Sequence, residues 1–186
     1  MAALTDETLA SHAAKGDAAA FDNLYERYKK PVVSFARSYL KCRNLAEDVA
    51  QDALLSVYLR IWQFDPERGS FRAWLFGIVH NQCRQEARRR RWLWWNTTGT
   101  QELDNSATQL RRRPDNDTNI DVRAALQCLP EKHRSAVILT KVQGLSVEEC
   151  AQALGITQNN VKQRVFRGVV ALRKILKELT SRTGEQ

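Results

Sequence analysis

The chain has 186 residues, of which 43% are hydrophobic and 27% are charged, a composition typical of a folded protein and not of a disordered one. Its formal net charge of +8 favours a polyanionic partner, nucleic acid before an anionic membrane surface. No apolar run approaches the roughly 20 residues that span a bilayer, and MAALTDETLA lacks the basic start and apolar core of a secretory signal. We therefore expect a cytoplasmic protein without direct membrane insertion.

The first half of the chain reads as a series of helices, because its apolar residues recur at steps of three and four. Asp17 is expected to cap a helix that continues to about residue 40, with a kink at Pro31. Asn44 and Glu47 have capping-box spacing at the start of a second helix. The face of that helix opposite its apolar stripe is polar and acidic, and it includes Asp48, Gln51 and Asp52.

A turn and a long third helix follow. FDPERGS, residues 64–70, contains Pro and Gly, and Ser70 can cap the helix that follows it. This helix is expected to run from Phe71 towards Arg91 and then meets RRRRWLWW, residues 88–95. Arginines suit both phosphates and the negative end of a helix dipole. The tryptophans either cover an apolar groove between domains or are covered by a partner protein, or they pack against their own domain.

The composition changes between residues 96 and 119, which are polar and rich in Asn, Thr and Asp. We expect a flexible linker there. The sequence thus predicts an all-α protein of two small helical domains, residues 1–95 and 120–186, joined by this linker.

The segment LSVEECAQALGITQNNVKQRVFRG predicts a helix-turn-helix. Ser146 and Glu149 form a capping box, Gly155 suits a turn with positive φ, and Thr157 can cap the second helix, in which Val161 points back to the core. An ordinary helical hairpin with a polar face is the structural alternative. In a recognition helix, amide and basic side chains read base edges and phosphates; the candidates are Asn159, Asn160, Lys162, Gln163, Phe166 and Arg167.

The cysteines and histidines show no pattern typical of a catalytic or metal site. The cysteines lack C-x-x-C spacing and lie among apolar helix positions, where a thiol behaves as a small hydrophobe. The histidines are scattered, with no triad or paired-ligand spacing. We therefore expect no enzyme activity, no metal and no cofactor. These residues are Cys42, Cys83, Cys128, Cys150, His12, His80 and His133.

In their order along the chain, these segments resemble bacterial sigma factors of the extracytoplasmic-function (ECF) group. FDNLYERYKKPVVSFARSYL, AEDVAQDALLSVYLRIW and GSFRAWLFGIVHNQCRQEARRRR are similar to the successive helices of the family's domain two. LPEKHRSAVILTKVQGLSVEECAQALGITQNNVKQRVFRG is similar to its domain four. The resemblance implies a dissociable initiation subunit that directs core RNA polymerase to promoters and helps to open the −10 region. An anti-sigma factor that wraps the two domains is a further partner that it implies.

The resemblance also implies three binding surfaces. Asp48, Gln51 and Asp52 match the positions that dock on the clamp helices of the β′ subunit, and the recognition-helix residues match those that read the −35 element of promoter DNA. A flipped base needs a pocket, and an opened strand needs stacking surfaces and a basic track. The expected −10 contacts are Arg68, Ser70, Phe71, Trp74, Asn81, Arg84 and Arg88, although Phe71 and Trp74 are also plausible core residues.

Two departures and two rival functions accompany this interpretation. Gln85 stands where the family often has Asp, and WLWW matches no motif of the family. The first rival is a free-standing helix-turn-helix regulator, which would bind duplex DNA tightly without polymerase. The second is a nucleic-acid-processing enzyme, which would need clustered carboxylates or histidines, whereas the acids here are spread along helix faces.

Overall fold

The computed structural model describes residues 4–98 and 120–183. All regular structure in these two ranges is helical, which confirms the all-α prediction. Short 3-10 turns, Ile61–Gln63 and Pro66–Arg68, lead from α3 into α4, and a π-helical turn, Ile138–Val142, extends α6. Most of the predicted linker lies outside the described residues. The helices are α1 (Asp6–Ala14), α2 (Ala18–Tyr39), α3 (Arg43–Arg60), α4 (Phe71–Thr98), α5 (Ile120–Cys128), α6 (Glu131–Val137), α7 (Val147–Leu154) and α8 (Gln158–Thr183).

Helix α2 is the central element of the first half. Asp17 caps it as predicted, because its carboxylate accepts a hydrogen bond from the Ala20 backbone N–H at 3.1 Å. The helix then runs through Pro31 without interruption. Its apolar face is buried against α3 and α4, and the rings of Phe35 and Phe76 pack in a tilted arrangement with 5.8 Å between centroids.

Three sequence-based expectations for the first half are corrected. Helix α1 is capped by Thr5 and was not predicted, because its nine residues show only a weak apolar periodicity. The capping box proposed for Asn44 and Glu47 is wrong: α3 begins at Arg43, and Glu47 pairs instead with Arg37 and with Arg43. Helix α4 extends beyond Arg91 to Thr98, so the tryptophans stand on a helix.

The second half has the predicted helix-turn-helix. Ser146 and Glu149 form both hydrogen bonds of the capping box, at 3.0 and 2.8 Å. Gly155 ends α7 with φ of 63°, a left-handed conformation that a residue with a Cβ adopts only at a cost. Thr157 accepts from the Asn160 N–H at 3.3 Å, and Val161 is fully buried. These features together fix the angle at which α8 leaves the turn.

The two halves pack against each other, with α4 against α7 and α2 against α5. The backbones approach closely at Gly77, where an added Cβ would lie 3.3 Å from the Ala153 carbonyl oxygen. Arg134 crosses between the halves and donates to the carbonyl oxygen of Tyr39 at 3.1 Å. Gln127 donates to the carbonyl of Leu40, also at 3.1 Å. Carbonyl oxygens at the end of α2, which have no partner within the helix, are therefore satisfied by side chains of the second half.

Candidate nucleic-acid and protein interfaces

The N-terminal part of α8 presents the predicted recognition surface to solvent. All six candidate residues, from Asn159 to Arg167, are exposed, while Val161 on the opposite side is buried. The Phe166 side chain is 70% exposed, so it does not pack into the core. Three amides, two cations and one apolar ring are thus exposed on this part of the helix, and this set can contact base edges, phosphates and thymine methyl groups.

The start of α4 is held by two polar side chains. The Ser70 hydroxyl accepts from the Ala73 N–H at 3.2 Å, which confirms its predicted capping role. The Glu7 carboxylate, from α1, accepts from the Phe71 N–H at 3.3 Å. A carboxylate and a hydroxyl at this end satisfy free N–H groups and oppose the positive end of the helix dipole.

Phe71 itself is a core residue, and its assignment as a −10 contact is wrong for this structure. Its side chain is fully buried, with its ring 5.6 Å from that of Tyr28 and 5.5 Å from that of Phe64 between centroids. Trp74 is half-buried and packs on Phe64 and Phe71. Phe71 therefore cannot stack on a base, whereas Trp74 combines core packing with partial access to solvent.

Residues of the second half form hydrogen bonds and an ion pair with several polar groups of the predicted −10 surface. Ser70 donates to the Glu149 carboxylate at 2.8 Å. Gln152 donates to the carbonyl oxygen of Arg68 at 2.6 Å. Arg84 forms an ion pair with Glu131 at 3.1 Å. These groups are thus partly engaged before any DNA arrives, which the sequence could not show because each partner lies more than forty residues away.

Midway along α4, a buried histidine joins the two halves. The His80 Nε2 atom lies 3.1 Å from the Ser135 hydroxyl of α6. Burial, reinforced by the nearby Arg84 guanidinium, lowers the pKa of His80 to about 4. The ring is therefore neutral at physiological pH, and the contact is a neutral hydrogen bond.

The predicted acidic face of α3 is exposed and continues into an apolar patch. Asp48, Gln51 and Asp52 all face solvent. One and two turns beyond Asp52, Leu55 and Leu59 are 56% and 61% exposed, and Trp62, in the 3-10 turn that follows α3, is 68% exposed. Clustered exposed apolar side chains of this kind mark protein-binding surfaces. Sequence reasoning missed the patch, although its residues follow the acidic ones at the same steps of three and four.

The last turns of α4 carry the arginine and tryptophan cluster into solvent. Residues 88–91 are all exposed, and so are Trp92 (64%) and Trp95 (50%). These two side chains do not pack against the first half of the chain, so that alternative is wrong for them. The side chain of Trp94 lies outside the described residues. Asn81, nearer the start of the helix, is exposed as well.

Other site chemistry is sparse in the part of the chain that the structure describes. No group of three or more His, Cys, Asp or Glu residues there could hold a metal ion. The four cysteines are free thiols, and burial raises the pKa of Cys83 and of Cys150 to about 12. Both thiols therefore stay protonated and poorly reactive. Within the described helices, none is long and apolar enough to cross a membrane.

Comparison with known proteins connects these surfaces to one family. The Sigma-70 region 2 family model matches residues 24–93, and the Sigma-70, region 4 model matches residues 120–172. The ECF RNA polymerase sigma factor SigM of Mycobacterium tuberculosis is 32% identical over 170 residues, which cover 91% of this chain and 83% of SigM.

Two solved structures are also similar. CnrH, in complex with the cytosolic domain of CnrY, is 28% identical with a TM-score of 0.70, and the match covers 93% of this chain and 97% of CnrH. The sigma factor RpoE of Bartonella quintana, in complex with the anti-sigma factor NepR, is 25% identical with a TM-score of 0.71 over 84% of this chain and 96% of RpoE. These findings favour a sigma factor over a free-standing regulator. The chain belongs to the ECF group of the sigma-70 family, whose members direct RNA polymerase to promoters when transcription begins.

Proposed function

We propose that three surfaces of this sigma factor divide the work of initiation. Region 2, within residues 1–95, binds core polymerase and recognises and melts the −10 element, while region 4, within residues 120–186, reads the −35 element. Residues 96–119 tether the two regions. Two tethered weak sites on one promoter gain from effective concentration, so neither surface needs to bind tightly alone.

The polymerase surface in this proposal is the outward face of α3. It combines the acidic stripe of Asp48 and Asp52 with the exposed side chains of Leu55, Leu59 and Trp62. Carboxylates are suited to steering a basic partner helix, and apolar and indole groups contribute more of the binding free energy once water is excluded. The observation that carries the proposal is this continuity of charge and apolar surface along one helix face, against the clamp helices of the β′ subunit.

The −10 surface in this proposal is the solvent side of α4 and of the turn before it. Phe71 is omitted, because it is buried. The half-buried Trp74 offers an aromatic wall, while exposed amide and basic groups can bind an unpaired base and its phosphates. The remaining members are Arg68, Ser70, Trp74, Asn81, Arg84 and Arg88.

The closed arrangement implies that promoter binding requires the halves to separate, since Glu149, Gln152 and Glu131 engage groups of the −10 surface. We infer that an anti-sigma factor holds the inactive form. The similarity to RpoE solved with NepR, and to CnrH solved with CnrY, supports this inference. The protein then acts stoichiometrically with polymerase in the cytoplasm, without catalysis of its own.

The experiment that tests this proposal is reconstituted transcription and binding with core RNA polymerase. Replacing Asp48 and Asp52 with Lys is expected to weaken polymerase binding at least about tenfold, because like charges would then face a basic partner. Run-off transcripts from a cognate promoter should fall in parallel. Circular dichroism and thermal unfolding should stay unchanged, because both side chains are exposed.

The matched control is Asp22→Lys with Glu26→Lys, which reverses two exposed acids of the same i, i+4 spacing on α2. This variant should bind polymerase nearly as the wild type does. Equal losses in the two double variants would show a general charge effect and would contradict the assignment of the α3 face.

A further inference from the structure

One face near the end of α4 carries two cations followed by two indole rings. Arg88, Arg91, Trp92 and Trp95 are spaced i, i+3, i+4 and i+7, so they lie on the same side of the helix, and all four are exposed. At 1.5 Å per residue the face is about 10 Å long. This length matches roughly three base steps of a nucleic-acid strand at 3.4 Å each.

The neighbouring arginines are differently engaged. Arg89 and Arg90 lie beside this face and pair with the Glu86 carboxylate, at 2.8 and 3.5 Å. Among the described residues, Arg88 and Arg91 have no such ion pair. Within the described helix, the two cations that precede the tryptophans on this face are therefore the ones without a carboxylate partner that competes with an anionic ligand.

This combination is suited to a strand whose bases are unpaired. Guanidinium groups bind phosphates, and indole rings stack on base faces that a duplex keeps hidden inside its own stack. An exposed indole gains little from an intact duplex, where only base edges and backbone are accessible. The chemistry therefore favours single-stranded DNA over duplex DNA.

The position of this face on α4 also favours single-stranded DNA as the ligand, a step that rests on the proposed function. Asn81, Arg88 and Trp95 are each seven residues apart, so the face continues the exposed side of the helix proposed to bind the −10 element. We propose that Arg88, Arg91, Trp92 and Trp95 form a single-stranded DNA-binding site, in which the arginines neutralise phosphates and the indole rings stack on unpaired bases. The site lengthens the track along which an opened promoter strand is held.

The test uses the full chain without polymerase and a fluorescein-labelled 15-mer of deoxythymidine, with a duplex of equal length as comparison. Anisotropy titrations should show that Trp92→Ala with Trp95→Ala weakens oligonucleotide binding at least tenfold and leaves duplex binding within about twofold. Loss of stacking costs roughly 1–3 kcal/mol per base, and 1.4 kcal/mol is a factor of ten. Tyr25→Ala removes an exposed aromatic ring on α2 and should change neither affinity.

The arginines offer a charge-matched comparison. Arg88→Ala with Arg91→Ala should lower the slope of log K against log salt for the oligonucleotide by about 1.4, because roughly 0.7 of a counterion is released per contact on single strands. Arg89→Ala with Arg90→Ala removes the same formal charge from beside the face and should lower the slope by less than half as much.

Three results would overturn the proposal. Unchanged oligonucleotide binding by the tryptophan variant would show that the rings do not stack. Equal effects in the two arginine variants would show that net charge alone attracts the strand. Tryptophan-dependent binding to vesicles of phosphatidylserine and phosphatidylcholine, with none to the oligonucleotide, would assign the face to a lipid surface. The Asp48→Lys, Asp52→Lys chain should bind the oligonucleotide normally, so a failure of the polymerase surface is distinguishable from a failure of this site.

Discussion

At the scale of single residues, the contact of His80 with Ser135 joins the two halves and depends on the protonation state of His80. It is buried and lies within hydrogen-bond distance of the Ser135 hydroxyl, with the ring of Tyr39 packed edge-on against it at 5.8 Å. Among the charged groups, Arg84 and Glu131 have the largest effects on the pKa of His80. Protonation would place a poorly compensated charge in this setting, which is why the pKa of His80 is lowered.

We therefore expect stability to fall as the pH drops below about 6.5. The unfolded chain binds a proton at His80 near the ordinary pKa of 6.5, whereas the folded chain binds it only near pH 4, so acid favours unfolding. At pH 5 the loss amounts to about 2 kcal/mol relative to pH 7. Urea unfolding of the wild type and of His80→Gln at both pH values measures it. The variant should lose about 2 kcal/mol less between pH 7 and pH 5; parallel losses in the two proteins would assign the effect to other groups.

At the scale of elements, the recognition helix depends on how closely α8 approaches α6. Gly168 is buried at this contact, and a Cβ added to it would lie 2.5 Å from the Val137 side chain and 3.4 Å from the His133 carbonyl oxygen. The close approach holds the exposed face of α8 in a defined orientation. A wider spacing would tilt that face relative to the turn at Gly155.

Gly168→Ala is accordingly expected to destabilise the protein by roughly 1–3 kcal/mol, the usual cost of overpacking, although alanine is the better helix former. Val137→Ala removes the opposing methyl groups. The double variant should therefore be less destabilised than the sum of the two single variants, by at least about 0.5 kcal/mol. Urea unfolding of all four proteins gives the coupling energy, and strict additivity would mean that the two residues do not meet.

The elements themselves were largely predictable, because they depend on local chemistry. Apolar periodicity and capping patterns predicted α2, α3, α4, α7 and α8, and Asp17, Ser70, Ser146 and Thr157 cap the helices that they were predicted to cap. The capping box at Asn44 failed because Glu47 has a better partner in Arg37, on another helix. The burial of Phe71 and the exposure of Leu59 depend on tertiary packing, which local periodicity does not determine.

At the scale of the whole molecule, the contact between the halves combines polar bonds with a hydrophobic core to which both halves contribute. Side-chain hydrogen bonds and an ion pair join α4 and α2 to the second half, with a tight backbone contact at Gly77. Single hydrogen bonds contribute only about 0.5–1.5 kcal/mol each. The polar part of this contact can be exchanged for hydrogen bonds with polymerase and DNA. The sequence could not predict it, since the polar linker composition indicates only a tether.

Gly77→Leu is expected to open the molecule. The new side chain would collide with the backbone of α7 at Ala153, while leucine stabilises α4 itself by roughly 0.8–1 kcal/mol relative to glycine. Small-angle X-ray scattering should show a larger radius of gyration than in the wild type. The matched control is Gln85→Leu, at an exposed position of the same helix, which should leave the molecule closed. An unchanged radius of gyration for Gly77→Leu would mean that the leucine side chain fits against α7 without separating the two halves.

Helix α4 also has a mechanical consequence. It is unbroken from Phe71 to Thr98, so at 1.5 Å per residue it is a rod roughly 42 Å long. Its Ser70 end is held by the second half, through Glu149, and its Trp95 end projects into solvent. A partner that binds the Trp95 end can therefore move the Ser70 end, because the helix between them is stiff. A tilt of the helix by a few degrees about one end displaces the other end by several ångströms.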